Sequence, residues 1–294
     1  MTGADARAGM ALMITAMLIA PGLDVFAKLL MERLPPAEVA FGRFVVQSVV
    51  LLPLFLLGPW ARPVWGHAAA GVFLGLALLT INLALREMPV ANAIAIFFVE
   101  PLVLTLLAAL FLGERIGWRR MAAVVVGLVG ALIVLRPNLA AYGPAAAWPL
   151  ATALFFACYM LVTRAMSLGG PEGRSGLQFW TGVFAALTLG ITGLGWAAVE
   201  PAMAFLAPTG HEMLMMLGMG GLAALSHRLI LLALARVEAG LAAPFQYVEI
   251  VSATLLGWWV FGDFPDGWTW VGTAIIVSAG LYVFHRESRA HHQS

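Results

Sequence analysis

The chain has 294 residues, of which 62% are hydrophobic and 11% charged; an ordinary soluble domain is about 45–50% apolar and about 25% charged. So little charge cannot clothe a water-soluble surface of this size, and the chain reads as an integral membrane protein. A formal net charge of +1 leaves no basic patch for a nucleic-acid partner, and the one cysteine, Cys158, excludes an internal disulfide framework and any multi-cysteine metal site.

A membrane-spanning helix needs about 20 mostly apolar residues. Turn and charge clusters divide the sequence into ten such runs, at 9–31, 37–57, 64–86, 89–112, 118–136, 143–167, 175–197, 211–236, 239–261 and 268–286. The first resembles a signal peptide in its Arg7 and apolar core, but reads as a retained helix, because its removal would unbalance the internal repeat described below. Pro21 and Gly22 loosen it just before Asp24 and Lys28. At i, i+4 spacing these two can form an intramembrane pair in a cavity; alternatively Lys28, the only lysine, snorkels to the interface and Asp24 follows it.

The second run carries Arg43, with Gln47 one turn later on the same face. An arginine at that depth needs an anion, and Asp24, Glu100 and Glu249 are the candidates near mid-span. Arg43 is therefore either a structural partner of Asp24 or a bidentate clamp for a substrate carboxylate or phosphate. Asn82 in the third run and Asn92 in the fourth offer amides near the outer ends. The fourth run also places Glu100 and Pro101 side by side in FFVEPLVLTLLAALFLGE. A charged residue at the bilayer centre costs about 2.5–3.5 kcal/mol or more, and proline removes a helical hydrogen bond. Their juxtaposition is tolerable where the helix face lines a wet, protein-enclosed cavity and the broken backbone is satisfied internally.

Gly71 and Gly75 in the third run, and Ala123, Gly127 and Ala131 in the fifth, are small residues at four-residue spacing that permit close helix approach. Thr152, Phe156, Tyr159 and Thr163 make one mixed polar and aromatic face of the sixth. Gln178 and Trp180 open the seventh, Trp180 reading first as an interfacial residue. In the eighth, Ser226, His227 and Arg228 are adjacent, and His227 reads as a pH-sensitive gate or a satisfied packing residue. The ninth holds Glu249, with Gln246 at i−3 and Ser252 at i+3 on its face and Tyr247 between. Such a polar stripe is hard to place against lipid.

The segment 98–136, FVEPLVLTLLAALFLGERIGWRR and onward, aligns with 247–286, YVEIVSATLLGWWVFGDFPDGWTW and onward. Glu100 matches Glu249, Thr105 matches Thr254, Gly113 matches Gly262, Glu114 matches Asp263, and Trp118 matches Trp268; more loosely, Pro35 falls near Pro171. Five runs per half give the halves opposite orientation, an inverted-topology repeat with substrate expected near the midplane between them. The expected fold is thus all-α integral membrane, ten transmembrane helices as two inverted five-helix repeats, 1–138 and 139–294. With the N-terminus inside, ten Lys/Arg fall in cytoplasmic connections and four in outer ones, so both termini are expected in the cytoplasm.

The proline-anchored fourth run, LLAALFLGERIGWRR and the glycine-rich GLVGALIVLRP together resemble the EamA-type drug/metabolite transporter superfamily, over nearly the whole chain. GLDVFAKLL and EVAFGRF are similar to a bacterial branch that includes S-adenosylmethionine and riboflavin uptake carriers. The resemblance implies ten helices around a central cavity, cytoplasmic termini and a peripheral fifth helix in each half. The chain departs from the family at Ile250, where proline would match Pro101 and where the ninth run is expected to be stiffer than the fourth, and at Asp263, where glutamate is commoner.

The function expected is secondary active transport of a small polar or amphipathic metabolite. The charged form of a buried carboxylate is disfavoured, so Glu100 and Glu249 could take up protons, or recognise a cationic group. An exchanger or an uptake carrier for a nucleoside-like or flavin-like solute is the alternative within this class. The chain has no HExxH, GxSxG or Walker A sequence, which argues against a membrane-embedded enzyme or an ATP-driven pump, and a channel is a further alternative. Expected partners are a small-molecule substrate, membrane lipid and protons or a counter-substrate; no metal, cofactor or nucleic acid is expected, and nothing in the sequence marks an oligomeric state. The excess of arginine over lysine points to a bacterial inner membrane.

Overall fold

The computed structural model describes residues 3–57, 62–112, 118–168, 176–234, 236 and 243–291. Among them, all regular structure is helical. In chain order the helices are α1 (Gly3–Ile19), α2 (Pro21–Leu30), α3 (Pro36–Leu57), α4 (Trp65–Glu87), α5 (Val90–Phe97), α6 (Glu100–Leu112), α7 (Trp118–Tyr142), α8 (Trp148–Leu168), α9 (Leu177–Val199), α10 (Gly210–Leu234), α11 (Val248–Phe261) and α12 (Gly267–His291). Short 3₁₀ segments cover Gly143–Ala147, Pro201–Met203 and Ala243–Tyr247. By length and composition, seven helical stretches of the described residues can cross a membrane, with α1–α2 and α5–α6 each counting as one. Gly113, Glu114 and Pro171, used in the repeat alignment, lie outside the described residues.

Local chemistry sets the helix ends. Val64 donates its backbone N–H to His67 Nδ1 at 3.0 Å while His67 N–H returns to the Val64 carbonyl at 2.9 Å, which closes the start of α4. Met88 leaves α4 in an extended conformation, as the residue before a proline must, and Pro89 then opens α5. Gly262 ends α11 in the left-handed region at φ +75°, its N–H on the Trp258 carbonyl at 2.9 Å.

Three of the apolar runs are interrupted. Ala20 separates α1 from α2, and Pro21 then takes the first helical position of α2, where its missing N–H costs nothing. Phe98 and Val99 form a turn between α5 and α6, so Glu100 and Pro101 open α6. The run containing Glu249 starts as the 3₁₀ segment Ala243–Tyr247 and becomes α-helical at Val248. Ile250 therefore keeps α11 continuous, as the loss of proline at that position implies, but the irregularity persists a few residues upstream rather than disappearing.

Close packing follows the small residues. A Cβ on Gly71 would lie 2.9 Å from the Ala185 backbone nitrogen of α9, and one on Gly75 3.1 Å from the Ala185 carbonyl oxygen. Gly130 of α7 meets Gly272 and Ile275 of α12 in the same way. Further contacts pair α4 with α8, α1 with α10, α3 with α9 and with α10, and α5 with α11. Leu54, Leu57, Val125, Leu132, Ile191, Leu194, Leu214 and Trp259 stay exposed on the periphery, a belt of apolar side chains expected to face lipid.

Candidate functional site

The interrupted runs converge on a cavity of about 240 Å³. Asp24 reaches it from α2, Arg43 from α3, Thr152 and Phe156 from α8, His227 from α10, and Glu249 from α11. Glu100 and Pro101 line it from the start of α6, with Phe97 from the end of α5 and Phe98 from the turn between them, and Gln246 enters from the 3₁₀ segment before α11. The helix breaks explain this convergence: a straight helix would carry Phe98 and Glu100 to faces two positions apart, whereas the turn lets both line one space.

In the cavity Arg43 feels the charges of both Asp24 and Glu249. It makes no ion pair with either within 4 Å: the ion pairs among the described residues are Lys28–Asp263 and Arg33–Glu212. Arg43 Nε is buried without a hydrogen-bond partner. His227 Nδ1 lies 3.0 Å from the Ala223 carbonyl, which can only accept, so Nδ1 carries the proton of that bond. Glu100 Oε1, also lining the cavity, is buried without a partner. In the cavity wall Phe97 meets Phe156 edge-on, with centroids 5.5 Å apart, and touches Phe98 at 5.9 Å.

Lys28 does not pair with Asp24. Its Nζ donates to Asp263 Oδ2 at 3.0 Å and to the Met88 carbonyl at 3.2 Å, and sits 4.7 Å above the Phe261 ring. Lys28 stands one helical turn beyond Asp24, towards the end of α2, and neither it nor Asp263 lines the cavity. The same end holds Arg33, which grips both oxygens of Glu212 at 2.6 and 2.5 Å, and Glu38, which accepts the Leu206 N–H at 2.8 Å. Hydrogen bonding to Glu212 holds the Arg33 guanidinium above its ordinary value, so it stays charged. Nothing in the sequence paired these residues, which lie more than 160 positions apart.

The remaining expected site residues lie off the cavity. Asn82 is buried and donates to the Pro36 carbonyl at 3.1 Å, fixing the start of α3. Ser252 donates to the Met17 carbonyl at 2.8 Å, tying α11 to α1. Tyr159 packs on Phe156 at 5.4 Å and pairs with Thr163 one turn on. Tyr247 stacks obliquely on Phe98 at 5.3 Å, behind the cavity wall. Arg228 is exposed and does not line the cavity.

A family model described as the EamA-like transporter family matches residues 7–136. The chain is 30% identical to an S-adenosylmethionine uptake transporter of Rickettsia felis, over 91% of this chain and 89% of that protein. It is 33% identical to a riboflavin transporter of Rhizobium johnstonii, over 87% of this chain and 83% of that one. A protein crystal structure 22% identical in sequence superposes with a TM-score of 0.60, covering 97% of this chain and 98% of its own, which speaks to the fold alone. With an all-helical membrane fold and relatives of this kind along most of its length, the chain belongs to the EamA-like transporter family, within the drug/metabolite transporter superfamily, and is a transporter rather than an enzyme.

Proposed function

We propose that this protein is a secondary transporter that moves a small polar or amphipathic metabolite by alternating access, with the central cavity as its substrate site. One observation carries the reading: a single cavity receives ionisable side chains from both halves of the chain, Asp24, Arg43 and Glu100 from one and His227 and Glu249 from the other, while ion pairs outside its lining tie the halves together. The names of the relatives support a solute the size of S-adenosylmethionine or riboflavin.

The reading includes ten spans in two inverted repeats, 1–138 and 139–294. Exchanging the halves turns the α4–α8 contact into the α1–α10 contact, and the α4–α9 contact into α10–α3, all of which are present. Phe98 and Tyr247, equivalent in the repeat alignment, touch ring to ring, as residues near a two-fold axis would. Both termini face the cytoplasm of a bacterial inner membrane, which makes the ion-paired end the outer one. Glu249, with Glu100, takes up and releases the coupling proton.

Proteoliposomes containing the full chain test this with labelled S-adenosylmethionine and riboflavin. Saturable uptake of at least one, accelerated by an imposed pH gradient, is expected. Unitary currents at channel rates, without concentrative uptake, would overturn the carrier reading.

A further inference from the structure

A proline that opens a helix leaves that helix intact, but it withholds a donor from the helix before it. In a continuous helix the N–H of residue 21 would meet the carbonyl of Met17, four residues back, and Pro21 has no N–H to give. Met17 is buried, and buried backbone carbonyls are almost always partnered. Ser252 of α11 supplies the donor: its Oγ lies 2.8 Å from the Met17 carbonyl oxygen, 235 residues away along the chain. The same hydroxyl lies 3.1 Å from the Glu249 carbonyl, three residues back in α11. Ser252 is itself buried and stands outside the cavity lining.

On α10, Ser226 Oγ also approaches α1, 3.5 Å from the Ala16 carbonyl, but that carbonyl already accepts the Ala20 N–H at 2.9 Å. Ser226 therefore adds to a carbonyl that has a partner, whereas Ser252 serves one that residue 21 cannot. In the repeat alignment Ser252 falls on Val103; with Lys28 on Arg164 and Pro35 on Pro171, Pro21 falls on Ala157. Helix α8 runs unbroken through Ala157, so its backbone needs no outside donor there, and Val103 has none to offer. The proline and the hydroxyl occur together at one pair of positions and are both missing at the related pair.

The place of this tie gives it a role. Asp24 lies three residues beyond Pro21, and Glu249 lies three before Ser252. Both carboxylates line the cavity, and both act on the charge of Arg43. Resting on the cavity being the transported solute's site, we infer that Ser252 is a positioning residue of that site. Its hydroxyl stands in for the N–H that Pro21 lacks, pins the α1–α2 break to α11, and so sets Asp24 against Glu249.

The test is a thermal-unfolding cycle on the full-length protein in nanodiscs, with no solute added. Ser252→Ala should lower Tm by roughly 2–4 °C, as the loss of one buried hydrogen bond does. In a Pro21→Ala background, where residue 21 regains its N–H, the same change should lose most of its effect. Ser226→Ala, the control, should shift Tm equally in both backgrounds. Should Ser252→Ala fail to fold alone, the Pro21→Ala background should hold it folded. A second readout separates positioning from plain stability: the rate at which a hydrophobic carbodiimide modifies each cavity carboxylate, located by peptide mass. Ser252→Ala should raise the rates at Asp24 and Glu249 several-fold relative to Glu100, which sits on α6, away from the tie.

An equal loss of Tm with and without Pro21 would overturn the inference, as would carbodiimide rates that stay level or rise together at all three carboxylates. Either result leaves the transport reading standing. The expected coupling in a protein that passes unitary currents at channel rates would do the reverse, upholding the placement by Ser252 and sinking the carrier reading.

Discussion

Glu100 and Pro101 look like two errors inside one apolar run, and together they solve a single problem. Proline is harmless at the start of a helix, so placing it at the second residue of α6 lets the chain turn at Phe98–Val99 and present Glu100 to the cavity. Pro101→Ala should therefore change stability by only about 0.4–1 kcal/mol. It should also cut transport, because α5 and α6 can then fuse and rotate Glu100 away; thermal unfolding in detergent alongside uptake checks both halves of this expectation. Thr181 offers a contrasting residue. It is 2% exposed, its hydroxyl has no partner, and it faces no part of the cavity. Thr181→Val should be neutral or stabilising by about 1 kcal/mol, read as a rise in Tm, since it removes an unmet polar group at almost constant volume. The glutamates were legible in the sequence because carboxylates in apolar runs are costly and these two recur in register. The partner of Lys28 was not. Spacing offered Asp24 one turn away, but Asp24 faces the cavity, and Asp263 reaches Lys28 through the left-handed turn at Gly262, 235 residues along the chain.

At the scale of elements, the hydrophobic runs marked nearly every helix, because lipid demands about 20 apolar residues per crossing and charged or proline-rich breaks separate them. Interruptions within a run coincide with proline at Pro21 and Pro101, and the 3₁₀ segment Ala243–Tyr247 carries one too, Pro244, a cue the reading of the ninth run passed over. The glycine spacing foretold close approach without saying against what. Gly71 now has a partner, the α9 backbone at Ala185, and backbone cannot yield as a flexible side chain can. Gly71→Ala should cost about 1–3 kcal/mol through overpacking. Gly195 on α9 has nothing within 4 Å of its would-be Cβ, so Gly195→Ala should stabilise by about 0.5–1 kcal/mol. Paired unfolding measurements on the two variants separate packing from propensity.

Across the whole molecule, the proposed inverted repeat accounts for function within the membrane: on that reading two halves that both contribute to one cavity rock about it. The ties across the halves were hidden from the sequence, since Arg33–Glu212 and Glu38–Leu206 join residues in connections and helix ends that no periodicity relates. Removing these ties in the double variant Asp263→Asn, Glu212→Gln should shift the population toward opening on their side of the molecule. In a background with Cys158 replaced by alanine, a cysteine at Ile81, which lines the cavity, should then react several-fold faster with a membrane-impermeant thiol reagent applied from that side.

The central claim is that the carboxylates of the cavity carry transport, and Glu249→Gln tests it most directly. Uptake of S-adenosylmethionine and riboflavin should be followed in proteoliposomes from pH 5 to 8, with unfolding temperature as the control for folding. The account expects a folded variant whose uptake is lost or has become independent of pH. Full uptake with the unaltered protein's pH profile would contradict it.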